Sequence, residues 1–255
     1  MTVPVVLVHG TRLSAAQWSP QLPGLRKEFP VTAVDLPGHG ARRGEPWSLT
    51  AACEAVAEGV DALGGGPALV VGHSLGGYVA LEFALRSPER LRGLVLAGAS
   101  ADTRGPWALP YRAVGALVPR LPAALLARWN DRLLRRLHPP EVVAETIRTG
   151  YAFEALPAAW ASVLGRFAPD ALRRVEAPVL ILNGEKDPAF RSGERAFAAA
   201  HPHGRARIEL IPRARHLANF DDPAAFTAAL CRFARELEAA PQEPVHPTSW
   251  KRGQP

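Results

Sequence analysis

The stretch Gly72-His73-Ser74-Leu75-Gly76-Gly77 constrains this chain more than any other. The apolar run Ala68 to Val71 before it reads as a short buried strand, and Tyr78 to Leu85 after it as a helix with Val79, Leu81, Phe83 and Leu85 as apolar surface. A strand that turns at once into a helix forces the turn residue into a strained conformation. Gly72 and Gly76 lack the Cβ atoms that would collide there, so Ser74 is lifted into open space. The helix N-terminus brings unengaged N–H groups and the positive end of its dipole to the same place. This Gly-x-Ser-x-Gly elbow predicts a nucleophilic hydroxyl beside an oxyanion site. The plain alternative is a Gly-rich turn without chemistry, and the flanking strand and helix weigh against it.

A serine needs a base and a group to orient that base. The chain order expected with this elbow is Ser, then an acid, then His. Pro178 to Leu182 reads as a strand running into Asn183-Gly184-Glu185-Lys186-Asp187, and Ile208 to Ile211 as another that ends before Pro212-Arg213-Ala214-Arg215-His216. Asp187 and His216 thus fall in loops at the carboxyl ends of strands, the edge where open α/β sheets place their sites. Taken singly, an Asp in a loop is a solvated turn residue and a lone His a structural one. Their order and strand-end positions make Ser74, His216 and Asp187 the candidate triad. Asp102, after the preceding strand, is the second choice of acid.

The tetrahedral intermediate of acyl transfer needs two preorganised donors. Leu75, next to the nucleophile, offers one backbone N–H. The strand Val5 to Val8, broken by His9-Gly10-Thr11, offers the other through Thr11. His9 sits at a strand end before Gly and reads as a scaffold residue that hydrogen-bonds the loop.

On these residues the chain resembles the α/β-hydrolase superfamily over about positions 3 to 238. The matching pieces are Val5-Val6-Leu7-Val8-His9-Gly10, Val34-Asp35-Leu36-Pro37-Gly38-His39-Gly40, the Ser74 elbow, Gly184-Glu185-Lys186-Asp187, and His216 ahead of Asp222-Pro223. The resemblance implies a mostly parallel twisted sheet flanked by helices. It makes 1–100 and 173–238 the core and 101–172 a helical lid, with the Asp35–Gly40 turn structural. Many members carry an antiparallel hairpin before the His-Gly strand; only eight residues precede His9 here, so none is expected.

The remaining composition agrees with one enzyme domain. The chain has 255 residues, 47% of them hydrophobic, enough for one large core with an insertion. Cys53 and Cys231 fall in predicted helices, without metal-ligand or disulfide-framework spacing, and suggest a reducing, cytoplasmic setting. No secretory leader or membrane-length apolar run is read. The net charge of +6 raises a nucleic-acid partner, but the arginines are scattered and no aromatic–basic stripe appears. Positions 239–255, rich in proline, read as a disordered tail.

The 101–172 segment is helix-like and punctuated by prolines. Its aromatic residues serve either to pack the lid or to line a substrate pocket. Trp107, Tyr151 and Trp160, with Tyr78 on the elbow helix and Leu217 beside His216, are the candidate substrate contacts. Arg128, Arg132, Arg135 and Arg136 read as a solvated face. The expectation is a serine hydrolase that cleaves a carboxylic ester or thioester of a small or medium apolar acyl group, without metal or cofactor. Three alternatives use the same motifs: a C–C hydrolase or lyase, a cofactor-free haloperoxidase, and a slow-turnover signal-binding protein. The tract Gly184 to Arg191 is similar to one in the menaquinone-pathway lyase of this fold, but that family has Arg where this chain has Tyr78.

Overall fold

Runs of β-branched and aliphatic residues form six short strands: β1 Val5–Val8, β2 Val31–Val34, β3 Ala68–His73, β4 Leu91–Ala97, β5 Val179–Gly184 and β6 Ala206–Ile211. In this computed structural model, which describes residues 2–106 and 108–240, they pair in the order β2-β1-β3-β4-β5-β6. Every pairing among them is parallel, so the described sheet is wholly parallel rather than mostly so. The first strand is β1, with β2 and β3 as its neighbours and no hairpin before it among the described residues. In register, Val8 lies beside Gly72, Ala97 beside Leu182, and Gly184 beside Ile211, which brings the carboxyl ends of the strands to one edge.

Parallel strands buried on both faces need cover on both. One face packs Val6, Val70, Leu94 and Ile181 against α1 (Leu49–Asp61) and α2 (Leu75–Arg86). The other packs Leu7, Val71, Val95 and Leu180 against Trp18 and the long C-terminal helix, which contributes Phe226, Leu230 and Phe233. Full burial of side chains of this size stabilises the fold by roughly 1.5–3 kcal/mol each. Ser48 caps α1 by accepting a hydrogen bond from the Ala51 N–H, which satisfies one of the helix's otherwise unpaired donors.

Between β4 and β5 lie four helices: α3 (Ala108–Leu117), α4 (Ala123–Leu137), α5 (Pro140–Thr149) and α6 (Leu156–Val163). Prolines start α5 and α6, where a missing N–H costs nothing. This segment has its own apolar cluster, including Leu126, Leu134, Val143 and Phe153, which closes on Leu13 after β1 and on Phe220. The four arginines of α4 are exposed. Two longer helices follow β5 among the described residues, α7 (Glu194–Ala200) and α8 (Pro223–Ala239). Because α8 runs to Ala239, the tail expected from 239 does not begin there; 241–255 lie outside the described residues. No helix among the described residues is long and apolar enough to cross a membrane.

Candidate active site

At the end of β3 the chain reverses into α2 through Ser74, whose φ of 52° and ψ of −118° are the strained turn that the motif demands. The two motif glycines stand where no side chain fits. A Cβ on Gly72 would come within 2.2 Å of the Gly76 carbonyl oxygen, and one on Gly76 within 2.4 Å of the oxygens of Val8 and His9. The Ser74 N–H is fixed to the Ala97 carbonyl at 2.8 Å.

The loops after β5 and β6 are stitched together by backbone. Lys186 N–H donates to Ala214 O at 2.7 Å and Glu185 N–H to Ile211 O at 3.0 Å. A Cβ on Gly184 would meet Arg215 O at 2.1 Å, so this close approach requires glycine. The stitching brings Asp187 to His216. His216 Nδ1 donates to Asp187 Oδ2 at 2.7 Å, and the carboxylate thereby fixes the tautomer. Nε2 is left as an acceptor, and Ser74 Oγ lies 3.0 Å from it. Asp187 is 5% exposed, and although it starts the short helix Pro188–Arg191 its carboxylate caps nothing there. Asp102 does not touch His216; it is turned toward the Arg104 backbone and guanidinium.

The His216 ring is held on both sides. Phe190 stacks on it with centroids 4.5 Å apart, and His73 lies 4.9 Å away. Buried His73 donates from Nε2 to the His216 carbonyl at 2.9 Å, while burial and the neighbouring His216 push its pKa down to about 3. A neutral, buried imidazole thus braces the base without competing for its proton. His73 was not among the sequence-predicted residues; its only signal was its place beside Ser74.

Thr11 and Leu75 line the same cavity as Ser74, and neither backbone N–H donates to a protein acceptor among the described residues. Trp160 of α6 reaches across to Thr11, donating from Nε1 to its Oγ1 at 2.8 Å. His9 accepts from the Leu36 N–H at 3.0 Å, and burial keeps it neutral, so it braces the loop that carries Thr11. Asp35 holds the same region by accepting from Ala15 N–H at 2.7 Å.

Two cavities meet at Thr11 and Ser74. One is walled by Leu75, Tyr78, Tyr111, Trp160 and Phe190. The other lies on the His216 side and is bounded by Arg12, His138, Arg215 and Leu217. Tyr78 and Trp160 therefore line the first cavity and Leu217 the second. Tyr78 anchors its hydroxyl on Ala101 O at 2.8 Å, and burial raises its pKa, so it stays neutral. Tyr151 lines neither cavity: its hydroxyl donates to Asp131 at 2.7 Å and its ring packs on Phe153 within the insertion. Trp107 lies outside the described residues.

Comparison with known proteins shows the family and the fold. The family model described as "Alpha/beta hydrolase family" matches residues 5–230. The chain belongs to this family. It is 30% identical over 237 residues to a pimeloyl-[acyl-carrier protein] methyl ester esterase of Neisseria meningitidis, covering 88% of this chain and 90% of that one. Among solved structures, a thermophilic esterase of Thermogutta terrifontis superposes with a TM-score of 0.74 at 28% identity, covering 92% of this chain and 90% of the other. A bromoperoxidase of Bacillus anthracis reaches a TM-score of 0.77 at 20% identity over 92% of each chain, a likeness of fold alone.

Proposed function

We propose that this protein is a serine esterase that hydrolyses a carboxylic ester, with a small or medium apolar acyl group in the cavity walled by Tyr78, Tyr111 and Trp160. The observation that carries the reading is the continuous relay from Ser74 Oγ through His216 to Asp187, with contacts of 3.0 and 2.7 Å, beside two unengaged backbone donors. The esterase relatives support the same chemistry, and the Neisseria protein is named for a methyl ester.

In this reading Ser74 Oγ bonds to the ester carbonyl carbon as its proton passes to His216 Nε2. Thr11 and Leu75 N–H groups stabilise the oxyanion, and Asp187 stabilises the imidazolium. The intermediate collapses by breaking the bond to the alcohol oxygen, which takes the proton from Nε2 and leaves. Water then attacks the acyl-Ser74, again with His216 as base, and the acid departs. The 101–172 segment is the lid, and its tie from Trp160 to Thr11 joins it to the oxyanion loop. The two buried free cysteines are consistent with the reducing, cytoplasmic setting of this reading. The lyase reading is not favoured, because the position where that family usually carries Arg is Tyr78, which spends its hydroxyl on Ala101.

A panel of nitrophenyl esters and acyl-thioesters of graded chain length tests the proposal. Short and medium acyl esters are expected to turn over, with covalent labelling by a fluorophosphonate. Ser74→Ala is expected to lower kcat by roughly a millionfold and to abolish labelling. Labelling retained in that variant would place the nucleophile elsewhere.

A further inference from the structure

The second cavity holds a cation that the esterase chemistry does not use. Arg12 follows Thr11 in the loop after β1 and adopts a φ of 61°, a left-handed conformation that costs a non-glycine residue energy. Its backbone is clamped there, since its carbonyl accepts from the Ala152 N–H at 2.9 Å. Its Nε donates to Asn130 Oδ1 of α4 at 2.7 Å, which fixes the plane of the guanidinium. Among the described residues no carboxylate pairs with it, and neither terminal nitrogen has a protein partner. Burial lowers its pKa, the nearby Tyr151 side chain opposes that effect, and no carboxylate contributes. A guanidinium nonetheless stays charged at neutral pH.

The other charged groups around this cavity balance one another. Arg215 is bidentate on Asp221, with Nη2–Oδ1 at 2.5 Å and Nε–Oδ2 at 3.3 Å. His138 lies 3.3 Å from the same carboxylate, but burial holds its pKa down and it is neutral. Arg12 is therefore the uncompensated charge facing the cavity. A partly buried cation without a partner is costly unless a ligand supplies the counter-charge. Its free edge offers the paired N–H donors that suit a carboxylate or a phosphate.

The side of Ser74 on which this charge lies says which part of the substrate it meets. His216 must deliver a proton to the departing alcohol oxygen, so the alcohol leaves on the His216 side. His216 lines the Arg12 cavity and not the Tyr78 cavity. We propose that Arg12 forms an anion-recognition subsite for a carboxylate or phosphate carried by the leaving alcohol of the ester. This rests on the esterase reading, and it adds the chemical class of the alcohol.

The test compares the butyrate ester of 3-hydroxybenzoate with the butyrate ester of methyl 3-hydroxybenzoate, which differ in the charge of the leaving group. Wild type is expected to favour the anionic ester in kcat/KM. Arg12→Gln is expected to lower the anionic-to-neutral ratio by about ten- to a hundredfold, mainly through KM, which is the range for a hydrogen bond to a charged group. Arg12→Lys, which keeps the charge but loses the fork, should recover part of the ratio. Competition by inorganic phosphate or benzoate separates the two anion types. An unchanged ratio in Arg12→Gln overturns the subsite. Loss of turnover on a monophenyl succinate, with the benzoate pair unaffected, overturns its assignment to the leaving side. Calorimetric binding of 3-hydroxybenzoate to wild type and Arg12→Gln needs no turnover. Binding that depends on Arg12, without hydrolysis of either ester, would uphold the subsite and reject the esterase reading; equal binding to both proteins would reject the subsite.

Discussion

At the scale of single residues, the acid makes the sharpest prediction. Asp187 is buried, caps no helix and spends Oδ2 on His216, whereas Asp102 is 41% exposed and tied to Arg104. Asp187→Asn keeps the shape but presents an amide donor to Nδ1, so the imidazole carries its proton on Nε2 and cannot accept from Ser74. A fall in kcat of about ten-thousandfold is expected, as in serine proteases, while Asp102→Asn should stay within severalfold of wild type. Steady-state hydrolysis of nitrophenyl acetate by both variants decides it, and a larger loss in Asp102→Asn would exchange their roles. These positions were legible in sequence because each follows a local rule: a glycine-framed elbow, or a polar residue just past an apolar strand. Arg12, His73 and the Arg215–Asp221–His138 group were not. Their meaning lies in contacts with distant segments, such as Arg12 with Asn130, that no local pattern encodes.

At the scale of elements, the strands were legible as apolar runs, β1 with its observed bounds, but β3 and β6 were read short. β6 begins at Ala206 rather than Ile208, because Arg207 and Glu209 alternate on an edge strand where polar side chains reach solvent. β3 extends through Gly72 and His73, residues that serve the elbow and so look like turn. Within the insertion the aromatic residues were legible as a class but not by role. Tyr151 and Trp160 both pack on the segment's own cluster, but only Trp160 also bonds across to the oxyanion loop. That crossing predicts coupling between α6 and catalysis. Trp160→Phe preserves the aromatic wall but removes the bond to Thr11 Oγ1. Losing one neutral hydrogen bond, worth about 1 kcal/mol, should lower kcat by roughly fivefold if the bond positions the Thr11 N–H. Thr11→Val should show the same fall, and the double variant no further loss. An effect confined to KM would assign Trp160 to the cavity wall alone.

At the scale of the whole molecule, the fold depends on keeping several imidazoles neutral. His9, His39, His73, His138 and His201 are all buried, and burial is the leading cause of a lowered pKa in each. In the unfolded chain these groups regain the ordinary value of about 6.5. Below that pH the unfolded state binds more protons than the folded one, so stability is full above it and falls as the solution is acidified. For His73, neutral down to about 3, the loss continues through the whole mildly acidic range. Between pH 7 and 5 its share is about 2 kcal/mol, from the linkage of a group that titrates only when unfolded. That window lies above the titration of ordinary carboxylates, so the imidazoles dominate the slope. Urea denaturation of wild type should show a lower midpoint at pH 5 than at pH 7. His73→Asn, which removes the titrating group while keeping a donor toward the His216 carbonyl, should be less stable at pH 7 yet lose less on acidification. Equal midpoints at the two pH values in wild type, or the same acid loss in His73→Asn, would mean that the neutral His73 of the folded protein does not set this dependence.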